Sequence, residues 1–110
     1  MSVLLVCRFT VPAADAAAFA ARARVALDLL RPSAGFVDGT VGCAIEDPQR
    51  WVLTLRFTGV DAYRRALSPF PVREHVIPLL SEALTDDPST YETRLTATPA
   101  TVTEHPSLLA

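Results

Sequence analysis

The chain has 110 residues, of which 50% are hydrophobic and 20% charged, and its formal net charge is −2. This length suits one domain and excludes a separate cofactor domain, and the composition excludes a disordered chain. All ten basic residues are arginine, which excludes a Schiff-base lysine, and the slightly negative charge argues against nucleic acid as a partner.

The first half of the chain predicts one helix and three strands. Val3 to Val11 is rich in apolar and β-branched residues and predicts a buried strand, which Pro12 ends. Ala13 to Arg31 carries apolar residues at helical spacing and predicts a helix. Two strands follow: Phe36 to Glu46, weakened or bulged at its glycines, and Arg50 to Thr58, which has the clearest alternation of apolar and polar residues.

The second half predicts an interrupted helical region and one more strand. Val60 to Leu67 predicts a short helix, and Val72 to Leu84 predicts another that is kinked inside by a proline. Ser89 to Thr98 predicts the last strand, and the polar segment from Pro99 to Ala110 predicts a tail that can pack on a partner subunit. The order β-α-β-β-α-β is that of the ferredoxin-like α+β fold, so residues 1–98 are predicted to form one domain around an antiparallel sheet.

The number of cysteines and the length of the apolar runs indicate the cellular compartment of the protein. Cys7 and Cys43 are too few and too far apart for a disulfide framework or a CxxC metal site. The two histidines are separated and no carboxylates cluster, so no metal site is predicted. The N-terminus lacks the basic region of a signal peptide, and no run approaches the ~20 apolar residues that span a bilayer. We expect a cytoplasmic protein that does not enter membranes.

Alternation along the predicted strands divides their residues between two faces of the sheet. An almost wholly apolar face is expected under the helices, and a face of mixed character is expected on the other side. The apolar set is Val3, Leu5, Cys7, Phe9, Trp51, Leu53, Leu55 and Phe57, and the mixed set is Leu4, Val6, Arg8, Thr10, Val52, Thr54, Arg56, Thr58, Glu92, Arg94 and Thr96.

The mixed face predicts a symmetric homodimer packed sheet to sheet. It is too apolar for free water and too polar for a dry core, and arginine is enriched at subunit interfaces. We expect Arg8, Arg56 or Arg94 to pair with Glu92 there. The alternative is a solvated sheet face. A partner or a ligand pocket also explains the mean hydropathy of +0.28, which is high for so small a domain.

Two segments resemble the antibiotic biosynthesis monooxygenase family. The first joins Gly35-Phe36-Val37-Asp38-Gly39 to Glu46-Asp47-Pro48-Gln49-Arg50-Trp51-Val52-Leu53, and the second is Asp61-Ala62-Tyr63-Arg64-Arg65-Ala66-Leu67-Ser68-Pro69-Phe70 with the later Pro78-Leu79-Leu80. The resemblance covers roughly residues 2–97 and implies a dimeric α+β barrel of ferredoxin-like protomers, each with a small pocket between sheet and helices.

The family to which this resemblance points contains proteins of different activities. Some members of the family are cofactor-independent oxygenases of polycyclic aromatic or quinol-type substrates, some degrade haem, and many have no established activity. Three residues used by the haem-degrading members are replaced here by Cys7, Ala66 and Ile77, which argues against haem degradation. Many members carry a histidine directly after the Ser-Pro pair, where this chain has Phe70.

A cofactor-independent oxygenation needs a base, a dry pocket and hydrogen-bond donors. His75 is the candidate base, with a helix-surface position as its alternative. Tyr63 and Trp51 are the other candidate catalytic residues, although core packing also explains Trp51. The predicted pocket lining is Cys7, Phe9, Phe36, Leu53, Phe70, Arg73 and Val76.

The sequence thus predicts an oxygenase that uses no cofactor and no metal on a small aromatic or quinol-type metabolite. The alternative is a non-catalytic dimer that binds a small apolar ligand, and Phe70 in place of the family histidine favours it.

Overall fold

A computed structural model describes residues 2–108. Four antiparallel strands form the main sheet in the order β2-β3-β1-β4, where β1 is Val3–Thr10, β2 is Phe36–Cys43, β3 is Arg50–Phe57 and β4 is Thr90–Glu92. The parallel strands β1 and β2 flank β3, which is the split βαβ arrangement. This order confirms the predicted α+β, ferredoxin-like fold.

Four helices cover one face of this sheet, and prolines explain their boundaries. A short 3-10 turn at Ala13–Asp15 precedes α1, and the second helical region is divided into three pieces. Pro71 and Pro78 stand in the first turns of two pieces, where a missing N–H costs no helical hydrogen bond. The helices are α1 at Ala16–Leu30, α2 at Val60–Ala66, α3 at Phe70–His75 and α4 at Ile77–Ser81.

The core lies between the helices and the face of the sheet that was predicted to be apolar. Strand β1 alternates strictly between buried and half-buried residues, and Leu53, Leu55 and Phe57 of β3 are buried opposite it. Helix α1 contributes Phe19 and Leu30. The other face, which we call the open face, has no helix over it in the described chain, and its residues Leu4, Val6, Val52 and Thr54 stay half-buried.

Strand β2 is shorter than predicted. It ends at Cys43 rather than at Glu46, because the next amide, that of Ala44, closes the hairpin by donating to the carbonyl of Arg50. The loop beyond it is tightened by Asp47, whose side chain accepts from the amide of Gln49 at 3.1 Å. The pairing register shifts between Phe36 and Asp38, whereas Gly39 and Gly42, where the sequence predicted the irregularity, pair regularly with β3.

The predicted last strand is divided, and part of the predicted tail is a strand. Strand β4 ends at Glu92, and a separate hairpin, which we call the arm, pairs β5 (Leu95–Thr98) with β6 (Thr101–Glu104). Pro99 and Ala100 form the turn of the arm, and Thr98 stabilises it by accepting from the Ala100 amide at 3.3 Å. The sequence interpretation took Pro99 as the end of regular structure, although a proline also suits a turn.

Within residues 2–108, no helix has the length and apolar character needed to cross a bilayer.

Candidate functional site

A cleft of about 360 Å³ lies between strand β1, the helices and the chain segment that leads into β4. We call it the sheet–helix cleft. Strand alternation turns Leu5 and Cys7 toward it, and helix α2 contributes Tyr63. The remaining walls come from Leu80, Leu84, Asp87 and their neighbours in sequence. The cleft thus joins an apolar floor to a few polar groups, as ligand sites commonly do.

Tyr63 contributes a polar group of the cleft that is free to bind a ligand. Its ring packs on Phe57 with centroids 5.5 Å apart, which fixes the side chain against the core. Its hydroxyl has no hydrogen-bond partner within residues 2–108. Burial, and to a smaller extent the neighbouring Cys7, raises the pKa of Tyr63. The hydroxyl therefore stays protonated at neutral pH and can act as a donor.

Cys7 forms part of the floor. The residue is only 4% exposed, and burial raises the pKa of its thiol. A thiol is nucleophilic only as a thiolate, so Cys7 serves the cleft as a small apolar wall. The sequence analysis gave Cys7 as a pocket-lining residue, and in the structure it lines this cleft.

The segment of residues 84–89 forms the outer wall of the cleft and is tied to β1 at both ends. The Leu84 amide donates to the carbonyl of Arg8 at 2.7 Å, and the Val6 amide donates to the carbonyl of Ser89 at 2.7 Å. Between these bonds the Arg8 guanidinium binds Asp86 at 3.1 Å and Asp87 at 3.2 Å. These contacts hold an irregular segment in place beside the cleft.

His75 does not line the cleft. It ends α3 with an exposed ring, and its Nε2 lies 3.3 Å from Oε1 of Glu74. A shallow surface groove of about 150 Å³ surrounds it, formed with Arg22 and Pro78. The buried Val72 and Val76 anchor this turn to the core, and the three residues between them, His75 included, are exposed. The alternative prediction, a histidine on a helix surface, is the one the structure supports.

Trp51 has its side chain on the helix side of β3, and it also borders a second cavity, of about 400 Å³, that lies mainly on the open face of the sheet. Its ring packs on Phe19 with centroids 5.4 Å apart, and its indole N–H is buried without an acceptor in the described chain. The cavity, which we call the open-face cavity, is further lined by Arg8, Gly42 and Val52. Trp51 and Tyr63 therefore do not act on one ligand in this chain alone.

The other predicted lining residues do not surround one pocket. Leu53 and Val76 are fully enclosed in the core, and Phe36 packs edge-on against Phe57 at 5.5 Å. Phe9 lies in the core beside the open-face cavity. Phe70 is 66% exposed and Arg73 is also exposed, because both stand on the outer side of the short helix α3.

The predicted interface residues lie at the open face and at the base of the arm. Arg56 binds Asp38 of the neighbouring strand through two hydrogen bonds, so its partner within the chain is not Glu92. Glu92 accepts a hydrogen bond from the Leu108 amide at 3.0 Å, and Arg94 is exposed. Their pairing with a second copy stays a prediction.

Sequence reasoning missed the wall formed by residues 84–89. Asp86-Asp87-Pro88 was interpreted as a turn, which it is, but its closeness to Arg8 depends on the pairing of β4 with β1. A short edge strand gives little local signal of the strand beside which it lies.

Comparison with solved structures gives matches over most of the chain. A variant of SnoaB, a cofactor-independent oxygenase from Streptomyces nogalater, is 28% identical over 89% of this chain and 97% of its own, with a TM-score of 0.72. No family model and no curated protein matches the chain.

Two more distant structures support the fold. A candidate antibiotic biosynthesis monooxygenase from Deinococcus radiodurans is 16% identical over 89% of this chain and 97% of its own, with a TM-score of 0.70. Another from Nitrosomonas europaea is 16% identical over 84% and 98% of the two chains, with a TM-score of 0.65. At these identities the likeness concerns the fold alone.

Proposed function

We propose that this chain, whose membership of the antibiotic biosynthesis monooxygenase family is supported by sequence and fold, oxygenates a small aromatic or quinol-type metabolite without a cofactor. The observation that carries this proposal is the sheet–helix cleft, in which the unpartnered Tyr63 hydroxyl stands over an apolar floor. The volume of about 360 Å³ lies within the range of small-molecule sites.

Such a substrate can supply all the electrons that the reaction needs. In the balanced reaction, one activated methylene group and one molecule of O2 give one carbonyl group and one molecule of water. The carbon loses two hydrogens and gains one oxygen atom, and the second oxygen atom leaves as water with those two hydrogens. The carbon gives up four electrons and O2 accepts four, so no external reductant takes part.

Tyr63 is suited to promote the first step, in which the substrate loses a proton. Removal of that proton leaves negative charge on the oxygen of an enolate or phenolate. A hydroxyl that stays protonated can donate to this oxygen and stabilise the anion, which then reacts with O2. The raised pKa of Tyr63 makes it a donor here rather than a base. The apolar floor keeps competing water away from the anion.

Oxygen uptake with anthrone and a panel of hydroquinones tests the proposal. Wild-type protein should consume O2 in the presence of at least one of these compounds, and Tyr63→Phe should lower the rate by about 100- to 1000-fold. His75→Ala, which alters a histidine outside the cleft, is the matched control and should retain the wild-type rate. Equal rates for Tyr63→Phe and the wild type would remove Tyr63 from the mechanism.

The second candidate function is a non-catalytic protein that binds a small apolar ligand. The exposed position of His75 favours it, because the predicted base is absent from the cleft. Under this function the same aromatic compounds bind, with a loss of affinity in Tyr63→Phe, but no O2 is consumed. Equilibrium dialysis beside the oxygen electrode separates the two functions.

We also propose that a second copy of the chain covers the open face and the arm. The arm has one face of threonines, while Leu95, Ala97 and Val102 share the other with Glu104. Leu95 is 63% exposed and Val102 67% exposed. A two-stranded hairpin is marginal by itself and needs a surface to pack on. The open-face cavity of a second copy is such a surface. This contact would complete the homodimer expected from the mixed face.

A further inference from the structure

The sheet–helix cleft needs a group that accepts the substrate proton, and Tyr63 does not supply it. Among the described residues that line the cleft, three carry ionisable side chains: Cys7, Tyr63 and Asp87. Burial raises the pKa values of the first two, which keeps them protonated at neutral pH. A protonated group cannot take up the proton, so the carboxylate is the remaining candidate.

Asp87 is both held in place by an ion pair and accessible to solvent. Its Oδ2 lies 3.2 Å from the guanidinium of Arg8, and its side chain is 61% exposed. The ion pair holds the side chain at the wall of the cleft, while its exposure lets a proton pass on to water. Arg8 stands on β1 and its guanidinium reaches the segment of residues 84–89 that walls the cleft.

We propose that Asp87 is the general base of the sheet–helix cleft and that Arg8 is the positioning residue that holds it there. This inference rests on the proposed function and names the acceptor that the function requires. It goes beyond the sequence prediction, which gave this role to a histidine that the structure places on the outer surface of α3.

In the proposed step a carboxylate oxygen of Asp87 takes the proton of an activated C–H or O–H group. That bond breaks, a new O–H bond forms on Asp87, and the electron pair stays on the substrate as an enolate or phenolate. The Tyr63 hydroxyl donates to the resulting anionic oxygen. Asp87 then releases the proton to water, since its side chain is exposed.

Asp86 provides a matched control for the test. It binds the same guanidinium atom of Arg8, at 3.1 Å, and its side chain is similarly exposed, but it does not line the cleft. Asp87→Asn and Asp86→Asn therefore remove the same charge from the same ion-pair cluster. Only the first variant should lose the base.

The experiment measures oxygen uptake with anthrone for the wild type and both variants at neutral pH. We expect Asp87→Asn to lose about 100-fold or more in rate, in the range of a general base, and Asp86→Asn to stay within about twofold. Asp87→Glu should recover part of the loss. At a pH where anthrone ionises in solution, Asp87→Asn should approach the wild-type rate, because no base is then needed.

The pH readout also separates a chemical role from a structural one. The charged and titratable groups around Asp87 are Arg8, Asp86, Cys7 and Tyr63, and all of them are retained in Asp87→Asn. A variant damaged in folding would stay slow at high pH, would bind less anthrone in equilibrium dialysis, and would not be rescued by Asp87→Glu.

The outcomes distinguish this inference from the proposed function. Active wild-type protein with equal losses in both Asn variants, or with no loss in Asp87→Asn, overturns the assignment of Asp87 and leaves the oxygenase standing. A loss in Asp87→Asn that persists at high pH overturns it as well. Wild-type protein that binds anthrone without consuming O2 overturns the oxygenase and this inference with it.

Discussion

The Tyr63 hydroxyl and the Cys7 thiol share one cleft, and the proximity of the thiol adds to burial in raising the pKa of the tyrosine. Both groups therefore remain neutral at physiological pH. Tyr63 can donate a hydrogen bond to a ligand, and Cys7 is protected from thiol chemistry.

The two cysteines should differ sharply in reactivity. Cys7 is buried with a raised pKa, whereas Cys43 is exposed on the edge strand β2, where its thiol donates to the carbonyl of Pro48 at 3.3 Å. We expect an aromatic disulfide reagent to label one thiol rapidly and the second at the rate of unfolding. Cys43→Ser should abolish the rapid phase, and two equally fast thiols would contradict the buried position of Cys7.

The pair of Arg56 and Asp38 should make stability depend on pH. Two hydrogen bonds from Arg56 lower the pKa of Asp38. A lowered folded-state pKa means that this stabilisation is present above the unfolded value, about pH 4, and is lost as the pH falls through the folded value. Both side chains are partly exposed, so we expect a contribution of only about 0.5 to 1 kcal/mol.

Urea unfolding of Asp38→Asn and the wild type at several pH values measures this contribution. The difference in the free energy of unfolding should be present at pH 7 and should vanish toward pH 2. Glu46→Gln, which alters a carboxylate without an ion pair in the described chain, is the control. A difference that is the same at all pH values would show that packing, not charge, is involved.

The sequence predicted the architecture well because its signals there were local. Alternation in β1 and β3 identified the buried face, and the predicted separation of two helices after Leu67 matches the break between α2 and α3, although α3 begins at Phe70 rather than at Val72. Each of these features depends on a few neighbouring residues. The predicted bounds of β2 were wrong only at its C-terminal end, where a hydrogen bond of the hairpin decides where the strand stops.

The site was harder to predict because it depends on contacts distant in sequence. Tyr63 and Cys7 were named as candidates, but only the packing of α2 on β1 and β3 shows that they share a cleft. His75 was the candidate base, with a helix surface as the alternative, and its ring is exposed at the end of α3. Asp87 gave no signal, since its link to Arg8 spans 79 positions of the chain and arises from strand pairing.

Gly35 should tolerate no side chain. Its φ is +86°, and a Cβ atom there would lie 2.5 Å from that of Ala62 and 2.7 Å from Oγ1 of Thr58. Strain and overlap together predict a loss of about 2 to 4 kcal/mol for Gly35→Ala. Gly42→Ala is the control, because a Cβ there meets Val52 only at 3.5 Å. Denaturant unfolding should show a large shift of the midpoint for the first variant and a small one for the second.

The arm offers a direct test of the proposed dimer. Val102 is on its apolar face and 67% exposed within one chain, whereas the adjacent Thr103 is on the threonine face. If a second copy covers the apolar face, a charge at Val102 must be buried without a partner, which is costly. Val102→Asp should therefore raise the dimer dissociation constant at least tenfold, while Thr103→Asp should change it little.

Sedimentation equilibrium at micromolar concentration measures both constants, and circular dichroism checks that each variant keeps its fold. The two substitutions add the same charge at neighbouring positions of one strand, so a change in net charge affects them equally. Only the face on which the charge lies differs. A wild-type monomer at this concentration would overturn the dimer, and equal effects of the two substitutions would overturn the role given to the apolar face of the arm.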